Sequence, residues 1–159
     1  MKRTIKHAVA AIILVLSITA RVAAGPSDDA LDAFVDRDFA AALKFFRQAA
    51  DQGDANGLFM LGVMYATGQG IPQNYAEAVK WYRLASDQGR ADAQYNLGDM
   101  YATGHGVQQD NVTAYMWLNL SAAQGEQGAV TTRDIVARRM TPAQIADAQK
   151  LARDWKPKQ

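Results

Sequence analysis

GDANGLFMLGVMYATGQGIPQNYAEAVKWYRLASDQG, residues 53–89, runs directly into GRADAQYNLGDMYATGHGVQQDNVTAYMWLNLSAAQG, residues 89–125. Gly53, Gly89 and Gly125 mark a period of 36 residues. A repeat of that length reads as a two-helix unit that cannot bury its apolar face alone and so stacks on its neighbours as a solenoid. In each copy Ala55–Thr67 and Ala91–Thr103 place apolar residues at helical spacing, with Leu58, Leu61, Met64 and Tyr65 as the first set. Gly62 and Gly98 fall inside these helices, where glycine costs about 1 kcal/mol relative to alanine. Its recurrence at one register position predicts a second helix crossing too closely for a side chain. Gly68 and Gly104 follow where a left-handed residue closes a helix. The second helices, from Tyr75 and Val112, alternate small residues with a large aromatic: Ala78, Trp81, Tyr82 and Ala85, then Ala114, Trp117, Leu118 and Ser121. Tryptophans set in an apolar stripe predict interlocking core contacts.

Working outward, the preceding segment carries a partial third copy. Phe39 aligns with Tyr75, Ala42 with Ala78 and Phe45 with Trp81. Ahead of it, residues 27–35 start with Ser27, Asp28 and Asp29 as a capped helix does, and Arg37-Asp38 makes the turn between the two. Beyond Gly125 the repeat decays, with Arg133-Asp134 at the register of Leu61-Gly62. A final helix begins at Thr141-Pro142-Ala143-Gln144, a capping box with proline at the first helical position. Ile145, Ala148, Leu151, Ala152 and Trp155 give it an apolar face, which predicts a terminal seal on the stack.

The first 24 residues read as an address. Lys2, Arg3 and Lys6 precede the apolar run AVAAIILVLSITA at residues 8–20, and Val22-Ala23-Ala24 supplies small residues for cleavage. An uncleaved anchoring helix is the alternative. Removing residues 1–24 leaves 13 basic against 16 acidic residues, a balance of −3. The remainder holds no Lys/Arg cluster of nucleic-acid type. The sequence contains no cysteine, which excludes disulfides and a thiol nucleophile. The 135 residues left suffice for one domain. The expected organisation is a signal peptide over 1–24, a partial repeat over 25–53, full repeats over 54–89 and 90–125, and capping helices over 126–159.

Leu61-Gly62-x-Met64-Tyr65, Gly68-x-Gly70, Ala78-x-x-Trp81-Tyr82 and Gly89, with partners Leu97-Gly98-x-Met100-Tyr101, Gly104-x-Gly106, Ala114-x-x-Trp117 and Gly125, resemble the Sel1-like repeat family, relatives of the tetratricopeptide repeats. The ending ARRMTPAQIADAQKLARDW is similar to that of exported bacterial members. The resemblance implies an all-α, right-handed α-solenoid of stacked antiparallel helix pairs, about eight helices after the signal peptide, that binds proteins or peptides on its concave side. Two departures stand out. Leu118 replaces the usual aromatic, and the cysteines that staple some secreted members are missing. Carrying over the tetratricopeptide pattern, with Leu61 and Leu97 packing inward, leaves Asn56, Phe59, Val63, Asp92, Tyr95 and Asp99 facing the groove. Residues 56, 59 and 63 differ from their counterparts while the framework agrees, as in a scaffold with a variable surface; ordinary solvated positions would show the same.

Catalytic chemistry finds little to work with. Past His7 the chain has only His105, whose loop position predicts plain solvent exposure, and no Ser-x-x-Lys occurs. Glu77, Asp99 and Asp110 form no recognisable acid–base pair. No catalytic residue, metal or cofactor is therefore expected. The expected role is an exported, monomeric, non-enzymatic module, periplasmic or secreted, for a protein or peptide partner such as a membrane sensor or envelope protein. Nucleic acid and a stable membrane span after cleavage are excluded. A cell-envelope enzyme or glycan-binding protein acting on peptidoglycan is the rival.

Overall fold

A computed structural model describes residues 26–158; the expected signal peptide lies outside them. Within them the chain forms eight helices and no strand: α1 Pro26–Val35, α2 Phe39–Asp51, α3 Ala55–Thr67, α4 Tyr75–Asp87, α5 Ala91–Thr103, α6 Asn111–Ala123, α7 Gln127–Ala137 and α8 Pro142–Asp154. The bounds of α3 and α5 are those the glycine punctuation predicts, and α6 starts one residue earlier than expected.

Capping follows the 36-residue register. Asp38, Asn74 and Asp110 each accept a backbone N–H at the start of α2, α4 and α6. Asp54 and Glu126 do so for α3 and α7, which extends the register past the last recognisable repeat. Gly68 and Gly104 close α3 and α5 in the left-handed conformation, with φ of 73° and 78°, each donating its N–H 2.8 Å to the carbonyl of Met64 or Met100. Gln73 and Gln109 then pin the loop to the helix just left, donating to the Ala66 and Ala102 carbonyls at 2.7 and 2.9 Å.

Each helix from α1 to α7 packs on its chain neighbours, and the buried residues fall into successive small clusters. Ala30, Ala42, Phe46, Leu61 and Met64 join α1–α3; Ala78, Val79, Tyr82, Leu97, Met100 and Trp117 join α4–α6. Cores passed from unit to unit are the mark of a solenoid. The mid-helix glycines act as expected. A Cβ on Gly62 would stand 2.5 Å from the Tyr82 ring, and one on Gly98 would stand 2.7 Å from Leu118 Cγ. Tyr82 and Leu118 share a register position, so the leucine takes the absent aromatic's place. Trp117 is buried and Trp81 half-buried, both within these clusters. The second loop glycine meets the preceding unit directly. Gly70 abuts Phe39, and Gly106 abuts the Tyr75 carbonyl, so the loop backbone touches the first residue of the previous second helix.

The terminal seal differs in one respect from its sequence reading. α8 packs on α6 and hardly touches α7. Ile145 and Ala148 enter the cluster of Tyr115, Leu118, Ala129 and Val136, and Gln149 donates to the Tyr115 hydroxyl at 3.4 Å. Leu151, expected on the apolar face, is 47% exposed because α8 turns Ala148 and Ala152 inward.

Candidate functional site

Six side chains on α3 and α5 were expected to face a partner, and the fold gathers three of them around a residue not among the six. Arg90 donates from Nε and Nη2 to the two Asp92 oxygens at 2.6 and 2.8 Å, and from Nη1 to Asn56 Oδ1. Its guanidinium lies over the Phe59 ring, 4.6 Å from the centroid. The two repeats are thus joined by one bidentate arginine resting on an aromatic face, with two of its five N–H groups unused by these bonds.

Arg90 occupies the capping register of Asp54 and Glu126, yet it makes no side-chain cap bond. A cap of the usual kind stabilises by about 1 kcal/mol, and here that bond is given up. Asp92 Oδ1 instead accepts the Ala93 N–H at 2.7 Å, just inside the helix. A basic residue where the register calls for an acid was the legible signal for Arg90.

Asp99 lies further along the same face. It lines an open cavity of about 240 Å³ with Ala66, Tyr75, Tyr82, Asn96, Met100 and His105. His105 is exposed, as expected, but it also stacks on Tyr75 of the preceding unit, with centroids 5.2 Å apart and planes at 19°. Its Nδ1 stands 3.1 Å from Thr103 Oγ1. Burial pushes the Tyr82 phenol well above its ordinary value, helped by the negative charge of Asp92 and opposed by a hydrogen bond with Asn96. Tyr82 therefore stays a neutral hydroxyl in the cavity wall.

Val63 and Tyr95 are half-buried in packing. Val63 joins the Tyr82–Leu97 cluster. Tyr95 packs against the α5–α8 cluster, beside Gly128. Among the described residues no three His, Asp or Glu side chains gather as a metal set, and no helix is long and apolar enough to cross a membrane. Asp110, one of the acids with no recognisable partner in the sequence, is a helix cap. Partial burial would raise its carboxyl, but hydrogen bonds from the Thr113 hydroxyl and the Thr113 and Val112 amides hold it below the usual range.

The Sel1 repeat profile matches residues 31–54, 55–89 and 91–126, more than half of the chain. The chain belongs to the Sel1 repeat family. Among solved structures it is similar to a protective antigen present in uropathogenic Escherichia coli strains that displays an SLR fold, at 27% identity and a TM-score of 0.78 over 82% of this chain and 29% of that one. It is also similar to a Sel1 repeat protein from Oxalobacter formigenes, at 36% identity and a TM-score of 0.52 over 54% of this chain and 65% of that one. The chain thus spans less than two thirds of either relative. No curated protein matches it. Sel1 repeat proteins are in general protein–protein interaction modules built on a scaffold that is typically non-enzymatic.

Proposed function

We propose that this chain is an exported, non-enzymatic adaptor or regulator that captures a protein or peptide partner on the face shared by α3 and α5. The observation that carries the reading is Arg90. A capping position has been given over to an arginine held by Asp92, Asn56 and Phe59, with N–H groups to spare for a carbonyl or carboxylate. A residue that breaks the local stability rule while its neighbours keep it is a candidate for function. The cavity at Asp99, Asn96 and His105 lies further along the face and supplies a second polar contact. Side chains already ordered lose less entropy on binding.

Export is supported by the basic start, apolar run and small residues of positions 1–24, the pattern of a segment that directs a protein to the periplasm or outside the cell. The partner is then an envelope protein or the outer domain of a membrane sensor, by family analogy.

Immobilised protein exposed to a periplasmic and envelope extract tests this reading, with bound proteins quantified by mass spectrometry. Partners captured by the native chain should be lost with Arg90→Glu plus Asp99→Asn, and retained with Lys44→Glu on the exposed side of α2. Equal capture by all three, each folded by circular dichroism, would show the face to be the wrong one.

A further inference from the structure

The segment after α8 runs back across the array. Trp155 leaves the helix in extended conformation, with φ −65° and ψ 140°. Three contacts of different kinds seat residues 155–158 against α4, α5 and α6. The Trp155 ring meets Trp117 edge-on, with centroids 6.0 Å apart and planes at 73°, and joins the cluster of Tyr82, Leu97 and Met100. Trp155 and Pro157 close over Gly89, each 3.7 Å from the point where a Cβ would stand. Lys158 donates its backbone N–H to the Asp87 carbonyl at 2.7 Å, and its Nζ to the Asp87 carboxylate, also at 2.7 Å.

This seat has the parts of a peptide site: an aromatic anchor, a proline that stiffens the backbone, a main-chain hydrogen bond and a charge pair. The acceptor side is built in and the donor side is loose. Asp87 is 17% exposed at its side chain, against 73% for Lys158. The pair is therefore well solvated on the lysine side and holds weakly. The seat is filled at one turn of the three. At Gly53 and Gly125, the equivalents of Gly89, nothing lies within 4 Å of a Cβ; Ala123 replaces Asp87 at the later turn, while at the earlier one Asp51 and Trp81 repeat Asp87 and Trp117 with no segment seated on them and Asp51 exposed.

We propose that the hollow formed by Asp87, Gly89 and Trp117 is a docking site for an extended aromatic-x-Pro-Lys segment of a partner protein, filled in the free chain by its own residues 155–158, which the partner displaces. This site uses residues other than those of the α3–α5 face and stands or falls separately from it. A tethered segment competes at an effective concentration on the order of millimolar. Releasing it should therefore unmask affinity for a free peptide.

The test is fluorescence anisotropy with a labelled peptide of sequence ARDWKPK, residues 152–158, titrated with the full chain. The chain carrying Trp155→Ser and Lys158→Glu should bind the peptide saturably and about tenfold or more tightly than the native chain does. Lys158→Glu alone, which keeps the tryptophan contact, should give a smaller gain and guards against a folding defect in the double variant. Adding Asp87→Lys to the released chain should abolish binding, and a peptide with glutamate at its last position should restore it. Equal affinity of native and released chains, binding that survives Asp87→Lys, or dimerisation of the released chain in place of peptide binding would each overturn the proposal.

Discussion

The two full repeats have the same framework and differ at the turn that precedes each first helix. In the first unit Gly53 is open and Asp54 caps α3, accepting the Gly57 N–H at 3.1 Å. In the second unit Gly89 is covered by residues 155 and 157, and Arg90 forgoes the cap to hold Asp92, Asn56 and Phe59. Everything the stack needs recurs at the 36-residue interval: the mid-helix glycine, the left-handed closure and the glutamine on the loop. The second unit adds to this shared framework contacts that reach other parts of the chain, Arg90 to the first unit and Gly89 to residues 155 and 157. Both special contacts of the second unit converge on Gly89 and Arg90, adjacent in the chain.

The positions shared by the two units should be the most sensitive to substitution. Gly62→Leu should prevent folding or cost at least about 3 kcal/mol, because the new side chain meets the Tyr82 ring. Gly98→Leu should be somewhat milder, since a Cβ there meets the Leu118 Cγ at 2.7 Å and the Ala114 carbonyl at 3.2 Å in place of a rigid ring at 2.5 Å; equal losses in chemical denaturation would mean the two crossings are not differently compliant. Leu61→Ala and Leu97→Ala, both fully buried, should each lose about 2–5 kcal/mol. A large difference between them would show that the units do not contribute alike. Alkaline unfolding sharpens the picture around Tyr82, whose folded-state pKa is raised. A raised value means that the stabilisation is fully present below the unfolded value near 10 and is lost as pH rises beyond it. Tyr82→Phe should remove part of that alkaline loss in melts taken on either side of this value. The smallest expected change in stability is that of Arg90→Asn, within about 1 kcal/mol, as a regained cap offsets the lost ion pair and ring contact. Its effect on partner capture should be large by contrast, and a variant that captured normally would leave Arg90 a local structural feature.

The fold was legible because glycine carries conformational information that survives without tertiary context. Gly68 and Gly104 ended helices where left-handed residues must, and Gly62 and Gly98 announced close crossings before their partners were known. The grouping of the six candidate residues was partly legible. Asn56, Phe59 and Asp92 meet as a surface built on the first helices predicts, but through Arg90, which the tetratricopeptide pattern passes over because it counts within the helix and not at its cap. The Tyr75–His105 stack and the Trp117–Trp155 contact were out of reach. Each joins residues on different elements, and helical periodicity says nothing of pairs whose spacing is set by packing between units. For the same reason Val63 and Tyr95 read as free positions and stand half-buried.

The abutment of Gly70 on Phe39, and of Gly106 on Tyr75, has a bearing on how such a protein can change over time. The distance between successive units is gauged where a loop glycine meets its predecessor, by the Tyr75 backbone at Gly106 and by the Phe39 Cβ and carbonyl at Gly70. Exposed residues that make no contact between units can then be exchanged with little effect on that spacing. A side chain introduced at Gly106 would do the reverse. It would keep every residue of α3 and α5 and alter the spacing between the units that carry them, and with it the reach of the Arg90 bonds that span both.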